Sequence, residues 1–214
     1  MSKTKTFICT IPFQEEGKLN TFMYPAKGNQ KLEYKEEVRF PIIPVINGYA
    51  EKGDKIRIIA ILTDGPNFLH NYEKYFLQAI TEFVTKNEYD FSGVELIHSE
   101  DSEDIEVHLR LFADIIASIN DNEELSACIT FGTKPTPIVQ QMALDYAYKL
   151  KSNVTIGCIA YGRYSFNDKN EQNGIYDQTA LFFMNSIVQR LVMTKAHNPE
   201  AAIRLMLGLG DDNE

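Results

Sequence analysis

Residues 55–62 read Lys55-Ile56-Arg57-Ile58-Ile59-Ala60-Ile61-Leu62 and follow directly on Gly53-Asp54. The run is short, rich in β-branched side chains and preceded by a turn signal, so it reads as a strand. Its apolar residues are nearly continuous and do not alternate with polar ones. A strand with one solvated face alternates, whereas a strand covered on both faces does not. This stretch therefore points to a parallel sheet sandwiched between helices.

Four further runs fit the same reading. Phe7-Ile8-Cys9-Thr10-Ile11 comes before it, and residues 94–97, Ala127-Cys128-Ile129-Thr130-Phe131 and residues 154–160 come after it. Helical periodicity fills the gaps. Phe68, Tyr72, Phe76, Ala79 and Phe83 mark one helix. Ile105, Leu109, Phe112, Ile116 and Ile119 mark a second, and Val139, Met142, Ala143, Tyr146, Ala147 and Leu150 a third. Ala180, Met184, Ile187 and Leu191 mark a fourth. Pro41 and Pro44 limit where a helix can begin in the first crossover, residues 40–49. Residues 14–37 show no period and read as an excursion from the sheet, with a hairpin at Lys27-Gly28-Asn29 as one candidate. The expected fold is α/β: a Rossmann-like three-layer sandwich with a mainly parallel sheet, its five strands ordered 3-2-1-4-5. Residues 1–196 form that domain. Residues 197–214 form a short helix and an acidic tail, either a frayed terminus or the start of a linker to an effector domain.

The chain has 214 residues, 44% hydrophobic and 24% charged, a balance suited to one large globular domain. No apolar run reaches the roughly 18–20 residues needed to cross a bilayer, and no secretory leader is apparent, so a cytoplasmic location is expected. Cys9, Cys128 and Cys158 all lie in strand-like runs, without metal-type spacing, and read as reduced core thiols. A net charge of −9 disfavours broad binding to duplex nucleic acid. It leaves room for one compact anion held by local backbone N–H groups and a few cations.

In a doubly wound sheet the ligand crevice opens beyond the C-terminal strand ends, where the strand order reverses. With order 3-2-1-4-5 that point lies between strands one and four. The loops meeting there are Thr10-Ile11-Pro12-Phe13-Gln14 and Phe131-Gly132-Thr133-Lys134-Pro135-Thr136. Gly132 permits close backbone approach, Thr133 offers a hydroxyl and Lys134 a cation. Pro135 and Pro137 fix the turn into a helix whose N-terminus adds positive potential. For an isolated Gly-Thr-Lys-Pro an ordinary strand–turn–helix connection with an exposed lysine is the preferred reading, and only its place in the sheet raises the phosphate seat beside it.

Familiar alternatives lack their motifs. There is no Gly-x-Gly-x-x-Gly after strand one, no Gly-x-x-x-x-Gly-Lys-Ser/Thr and no Gly-x-Ser-x-Gly. His70, His98, His108 and His197 form no metal-binding spacing. The acidic pairs Glu15-Glu16, Glu36-Glu37 and Glu123-Glu124 read as solvated. Tyr161, Tyr164 and Phe166 cluster after the fifth strand beside Gly162 and Arg163, as core-and-rim packing, as a surface for adenine or as a contact with a partner subunit.

Phe131-Gly132-Thr133-Lys134-Pro135, closing a strand and opening a helix, resembles the signature loop of CARF domains, the CRISPR-associated Rossmann-fold sensors of cyclic oligoadenylate. Ile8-Cys9-Thr10-Ile11-Pro12-Phe13 with Tyr24, and residues 58–64 ending in Thr63-Asp64, are similar to other parts of that family. The likeness spans roughly residues 5–195. It departs from the family at Phe131, where a small or polar residue is usual, and at Pro12-Phe13, where the first loop is often Gly-rich. The resemblance implies a homodimer sharing a cyclic tetra- or hexa-adenylate across its two-fold axis, in antiviral defence and with no cofactor. It further implies ribose and phosphate contacts from Thr10, Gln14, Thr133 and Lys134, with Thr63 and Asp64 closing the rim. Arg163 would stand on the same sheet edge as Lys134. Two activities remain open: a sensor controlling a fused or associated effector, or a ring nuclease that cleaves what it binds. Such cleavage needs only an aligned ribose 2′-hydroxyl and charge stabilisation, so it would leave no further motif.

Overall fold

The computed structural model describes residues 3–165, 172–195 and 197–208. In chain order the elements are β1 (Thr4–Thr10), β2 (Ala26–Lys27), α1 (Ile42–Tyr49), β3 (Lys55–Thr63), α2 (Pro66–His70), α3 (Leu77–Lys86) and β4 (Asp90–Ser99). There follow α4 (Ile105–Ser118), β5 (Glu123–Cys128), α5 (Thr136–Leu150), β6 (Thr155–Arg163), β7 (Gly174–Asp177), α6 (Thr179–Met193) and α7 (Pro199–Met206). A π-helical turn, Asn71–Phe76, joins α2 to α3.

The strands form one seven-stranded sheet ordered β2-β7-β6-β5-β1-β3-β4. Its five long strands are parallel to their neighbours and run β4-β3-β1-β5-β6, which is the expected 3-2-1-4-5 with β1 in the centre. Two short strands extend that core at one edge, β7 antiparallel to β6 and β2 parallel to β7. No hairpin forms at Lys27-Gly28-Asn29. Long-range partners hold this segment instead: Ala26 and Lys27 pair with Ile175 and Tyr176, and the Asn29 side-chain amide donates to Asp177 at 2.6 Å and to the Tyr49 hydroxyl at 2.9 Å.

Alternation along the strands sorts side chains into two buried layers. Phe7, Cys9 and Ile11 of the first strand region join Ile56, Ile58, Ala60 and Leu62 of β3 in a cluster with α1, the π turn and α3. Thr6, Ile8 and Thr10 point the other way, and Gln140 of α5 reaches Thr10 there. Helices thus cover both faces, giving the three-layer α/β sandwich.

Three local expectations are corrected. The fourth strand stops at Cys128 rather than Phe131, because Thr130 leaves the ladder and its hydroxyl accepts the Gly162 N–H at 2.8 Å. On α4 the buried positions are Val107, His108, Leu111 and Ile115, while Ile105 and Leu109 of the expected face are exposed. Glu123 is buried, not solvated. It takes hydrogen bonds from Asn120 and an ion pair from Arg57 at 2.8 Å, at the sheet end far from the strand C-termini. A carboxylate can be buried there because its charge is matched.

The chain divides into two compact units, Met1–Gln178 and Thr179–Glu214, so α6 goes with the C-terminal unit. Within that unit Asn198 caps α7 by accepting the Ala201 N–H at 3.1 Å. Residues 209–214, which include most of the expected acidic tail, lie outside the described residues, as does Phe166. Among the described residues no helix is long and apolar enough to cross a membrane.

Candidate functional site

The reversal of strand order at β1 brings the loops after β1 and β5 side by side at the C-terminal end of the sheet. Each loop is held from beneath. Thr10 is buried, and its hydroxyl accepts from the Gln140 side chain at 2.7 Å. Ile11 and Pro12 are buried, and the Ile11 N–H donates to the Ile61 carbonyl at 2.9 Å. Phe13 and Gln14 turn outward, with the Phe13 ring packed 5.2 Å from that of Phe68.

The second loop turns tightly at Gly132, where φ is +112°. A Cβ there would lie 2.8 Å from the Thr136 Cβ, so both backbone conformation and space demand glycine. The Thr133 hydroxyl shares a hydrogen bond with that of Thr136 at 3.1 Å, and Thr136 N–H closes the turn onto the Thr133 carbonyl at 3.1 Å. Lys134 is exposed and makes no ion pair among the described residues. Pro135 is then the N-cap residue of α5, without a side-chain capping bond.

Beside these loops lies a cavity of about 320 Å³. Gln14 and Phe131 line it from the loops, and Thr130, Tyr161, Gly162 and Tyr164 from the ends of β5 and β6. Lys18, Asn20, Phe22, Tyr24 and Arg39 line it from the excursion after β1. The Phe22 and Tyr164 rings stack at 3.6 Å. Burial pushes the Tyr24 hydroxyl well above its ordinary pKa, so it stays a neutral donor. Arg39 is aimed by two contacts: its Nε donates to the Leu19 carbonyl at 3.0 Å, and its guanidinium lies 4.9 Å from the Tyr75 ring centre. Gly162 admits Pro41 so closely that a Cβ would meet it at 2.7 Å. The site thus combines ring faces, neutral hydrogen-bonding groups and two cations in one concavity, the composition of small-molecule sites.

Not every expected site residue gathers here. Thr63 is buried at the end of β3, and Asp64 opens into a separate cleft of about 230 Å³ with His98, Glu100, Arg110 and Asp114. Asp64 meets His98 at 3.3 Å and Glu100 meets Arg110 at 2.9 Å, and with Asp114 the cleft holds three carboxylates to one arginine, so it is acidic. Arg163 lies on β6 opposite Gly174, half-buried. Lys134 and Thr133 sit on the turn into α5 and do not line the aromatic cavity. Conversely, Lys18, Phe22 and Arg39 come from a segment without periodicity, and only tertiary contacts bring them to the tip. The aromatic run Phe22-x-Tyr24 was the one signal available for them. Among the described residues no group of three or more His, Cys, Asp or Glu is placed to hold a metal ion.

No protein-family model matches the chain, and a search of curated proteins gives no significant match.

Proposed function

We propose that the sheet tip binds a cyclic oligoadenylate, a ring of four or six adenylates, and that the protein is a cytoplasmic sensor of this messenger in CRISPR-linked antiviral defence. The observation that carries this reading is the aromatic cavity at the switch point, with cations inside it and beside it. Tyr161, Phe131 and the stacked Phe22–Tyr164 pair suit an adenine face, since base–aromatic stacking contributes about 1–3 kcal/mol per base. Lys18, Arg39 and Lys134 suit ring phosphates, with the N-terminus of α5 adding its dipole. In a protein of net charge −9, Arg39 and a Lys18 that is ion-paired with Glu15 reach this concavity while Lys134 stands on the turn into α5, an arrangement suited to a compact anion rather than a long polyanion.

A ring with repeating adenylates is matched by a two-fold protein that presents one loop twice. An apolar surface next to the site favours such self-association. Helices α4 and α5 pack side by side, with the Phe112 and Tyr146 rings 6.1 Å apart. They expose Ile105 (68%), Leu109 (58%), Ile138 (62%) and Met142 (56%). Isolated exposed apolar side chains are ordinary, but a patch shared by two packed helices is the mark of an interaction surface. Because α5 starts directly after Lys134, this patch adjoins the tip. A homodimer placed in this way would pass ligand binding to a fused or associated effector.

Incubating the pure protein with synthetic cyclic tetra- and hexa-adenylate and separating the products by chromatography tests the reading. Retention of intact ring is the expected result. Retention followed by linear products assigns the ring-nuclease activity, and no retention of either ring refutes the proposal.

A further inference from the structure

Asn71 is the one fully buried asparagine among the described residues, at 0% exposure, and it occupies the first position of the π-helical turn. Its side-chain nitrogen donates to the Pro12 carbonyl at 2.9 Å and to the Gln14 carbonyl at 2.8 Å. One amide carries two hydrogens, and here each serves one of two carbonyls two residues apart on the loop leaving β1. The same loop is tied to the same helical segment at two further points. Phe13 packs on Phe68, and Glu16 meets His70 at 3.6 Å and Lys74 at 3.4 Å.

Two features set this contact apart from ordinary core packing. The Asn71 Oδ1 is buried and has no hydrogen-bond partner among the described residues, so the side chain carries an orphan acceptor that a leucine would not. The turn that presents it is π-helical, a conformation found in well under 1% of residues and concentrated near functional sites. Asn71 opens that turn directly after α2.

We propose that Asn71 is a positioning residue for the tip site: its amide fixes the carbonyls of Pro12 and Gln14 so that the Gln14 side chain lines the cavity in its binding geometry. The proposal rests on the oligoadenylate reading for its ligand, while its effect on the loop can be read without any ligand. Asn71→Asp is the direct probe, because it keeps the shape and turns a double donor into an anion facing two carbonyls. Asn71→Leu keeps the volume and removes both the donor and the orphan acceptor.

The test measures hydrogen–deuterium exchange across residues 12–18 in the ligand-free full chain, and the affinity for cyclic tetra-adenylate with and without Gln14→Ala. The expected result is faster exchange in residues 12–18 in both variants, with melting retained. Affinity should fall about tenfold in either Asn71 variant, as for loss of one or two buried hydrogen bonds. In the Gln14→Ala background the same substitutions should cost less than about twofold, since coupled residues are non-additive. Unchanged exchange in a folded variant, or an undiminished loss of affinity without Gln14, overturns the proposal. So does failure of both variants to fold, which would make Asn71 purely structural. If the parent binds no ring, the oligoadenylate reading fails on its own, and the exchange data still decide whether Asn71 positions the loop.

Discussion

Replacing Gly132 by alanine tests whether the turn between β5 and α5 is as constrained as its geometry implies. The backbone there has φ +112°, a conformation that costs a residue with a Cβ about 1–3 kcal/mol. The new methyl would also stand 2.8 Å from Thr136 Cβ and 3.0 Å from its Cγ2, atoms close to the backbone of a helix start that cannot swing away. Overpacking of this kind adds about 1–3 kcal/mol. Reduced freedom of the unfolded chain returns about 0.4–1 kcal/mol, leaving a net loss of about 3 kcal/mol. For a chain of this size that is a fall in Tm of roughly 6–12 °C. Gly53→Ala is the control: φ is +84°, but nothing lies within 4 Å of its Cβ position, so it should lose only about 1 kcal/mol. Scanning calorimetry on the two variants separates strain from crowding. Equal melting temperatures for Gly132→Ala and Gly53→Ala would refute the close approach of Thr136, and with it the described shape of the loop.

The remaining expectations concern the thiols, the apolar patch and the loop hydroxyl. Burial raises the Cys9 thiol well above its ordinary value and pushes Cys128 up to about 11 from 9.0. The native protein should therefore release no thiolate to Ellman's reagent at pH 8, and denaturant should expose all three cysteines. Because the folded state holds these thiols neutral, their stabilisation is intact below pH 9.0 and declines as pH rises towards about 11, which urea titrations across that window will show. Leu109→Glu or Met142→Glu should convert a micromolar dimer to monomer in sedimentation with folding retained; a parent protein that sediments only as monomer refutes the shared-ring arrangement. Thr133→Val should weaken ring binding less than Lys134→Ala, since a neutral hydroxyl contact contributes about 0.5–1.5 kcal/mol and a charged one more; calorimetry of the two variants gives the order.

The five long strands were legible because each is a compact apolar run whose burial is written in its own residues, as in 55–62. The edge strands were not. Ala26–Lys27 and Gly174–Asp177 are four residues or fewer and acquire strand geometry from each other and from β6. Periodicity located α4 but named the wrong face, since the helix carries apolar residues on two sides and spacing alone does not say which side meets the sheet. Residues 10–14 and 131–135 followed from topology, because strand order fixes where the loops meet. Arg39, Phe22 and Lys18 did not follow, because an aperiodic excursion has no internal rule for where it lands. Asn71 left no trace either: Phe68, Tyr72 and Phe76 step evenly by four and conceal the π turn that buries an amide between them.

In the proposed arrangement the sheet tip seats a ring of adenylates with Lys134 on its phosphates. Lys134 is exposed, free of ion pairs among the described residues, and adjacent to the first turn of α5, so its ammonium is available to a phosphate. A charge-assisted hydrogen bond contributes about 1.5–3 kcal/mol. Two symmetric copies give about 3 kcal/mol or more, which is roughly a hundredfold or more in affinity. Isothermal calorimetry of cyclic tetra- and hexa-adenylate with the parent and with Lys134→Ala, alongside melting curves, measures this directly. Saturable binding of one of the rings by the parent is expected, with at least about a hundredfold weaker binding by a variant that melts like the parent. A folded Lys134→Ala protein that binds the ring as tightly as the parent, or a parent that binds neither ring, contradicts it.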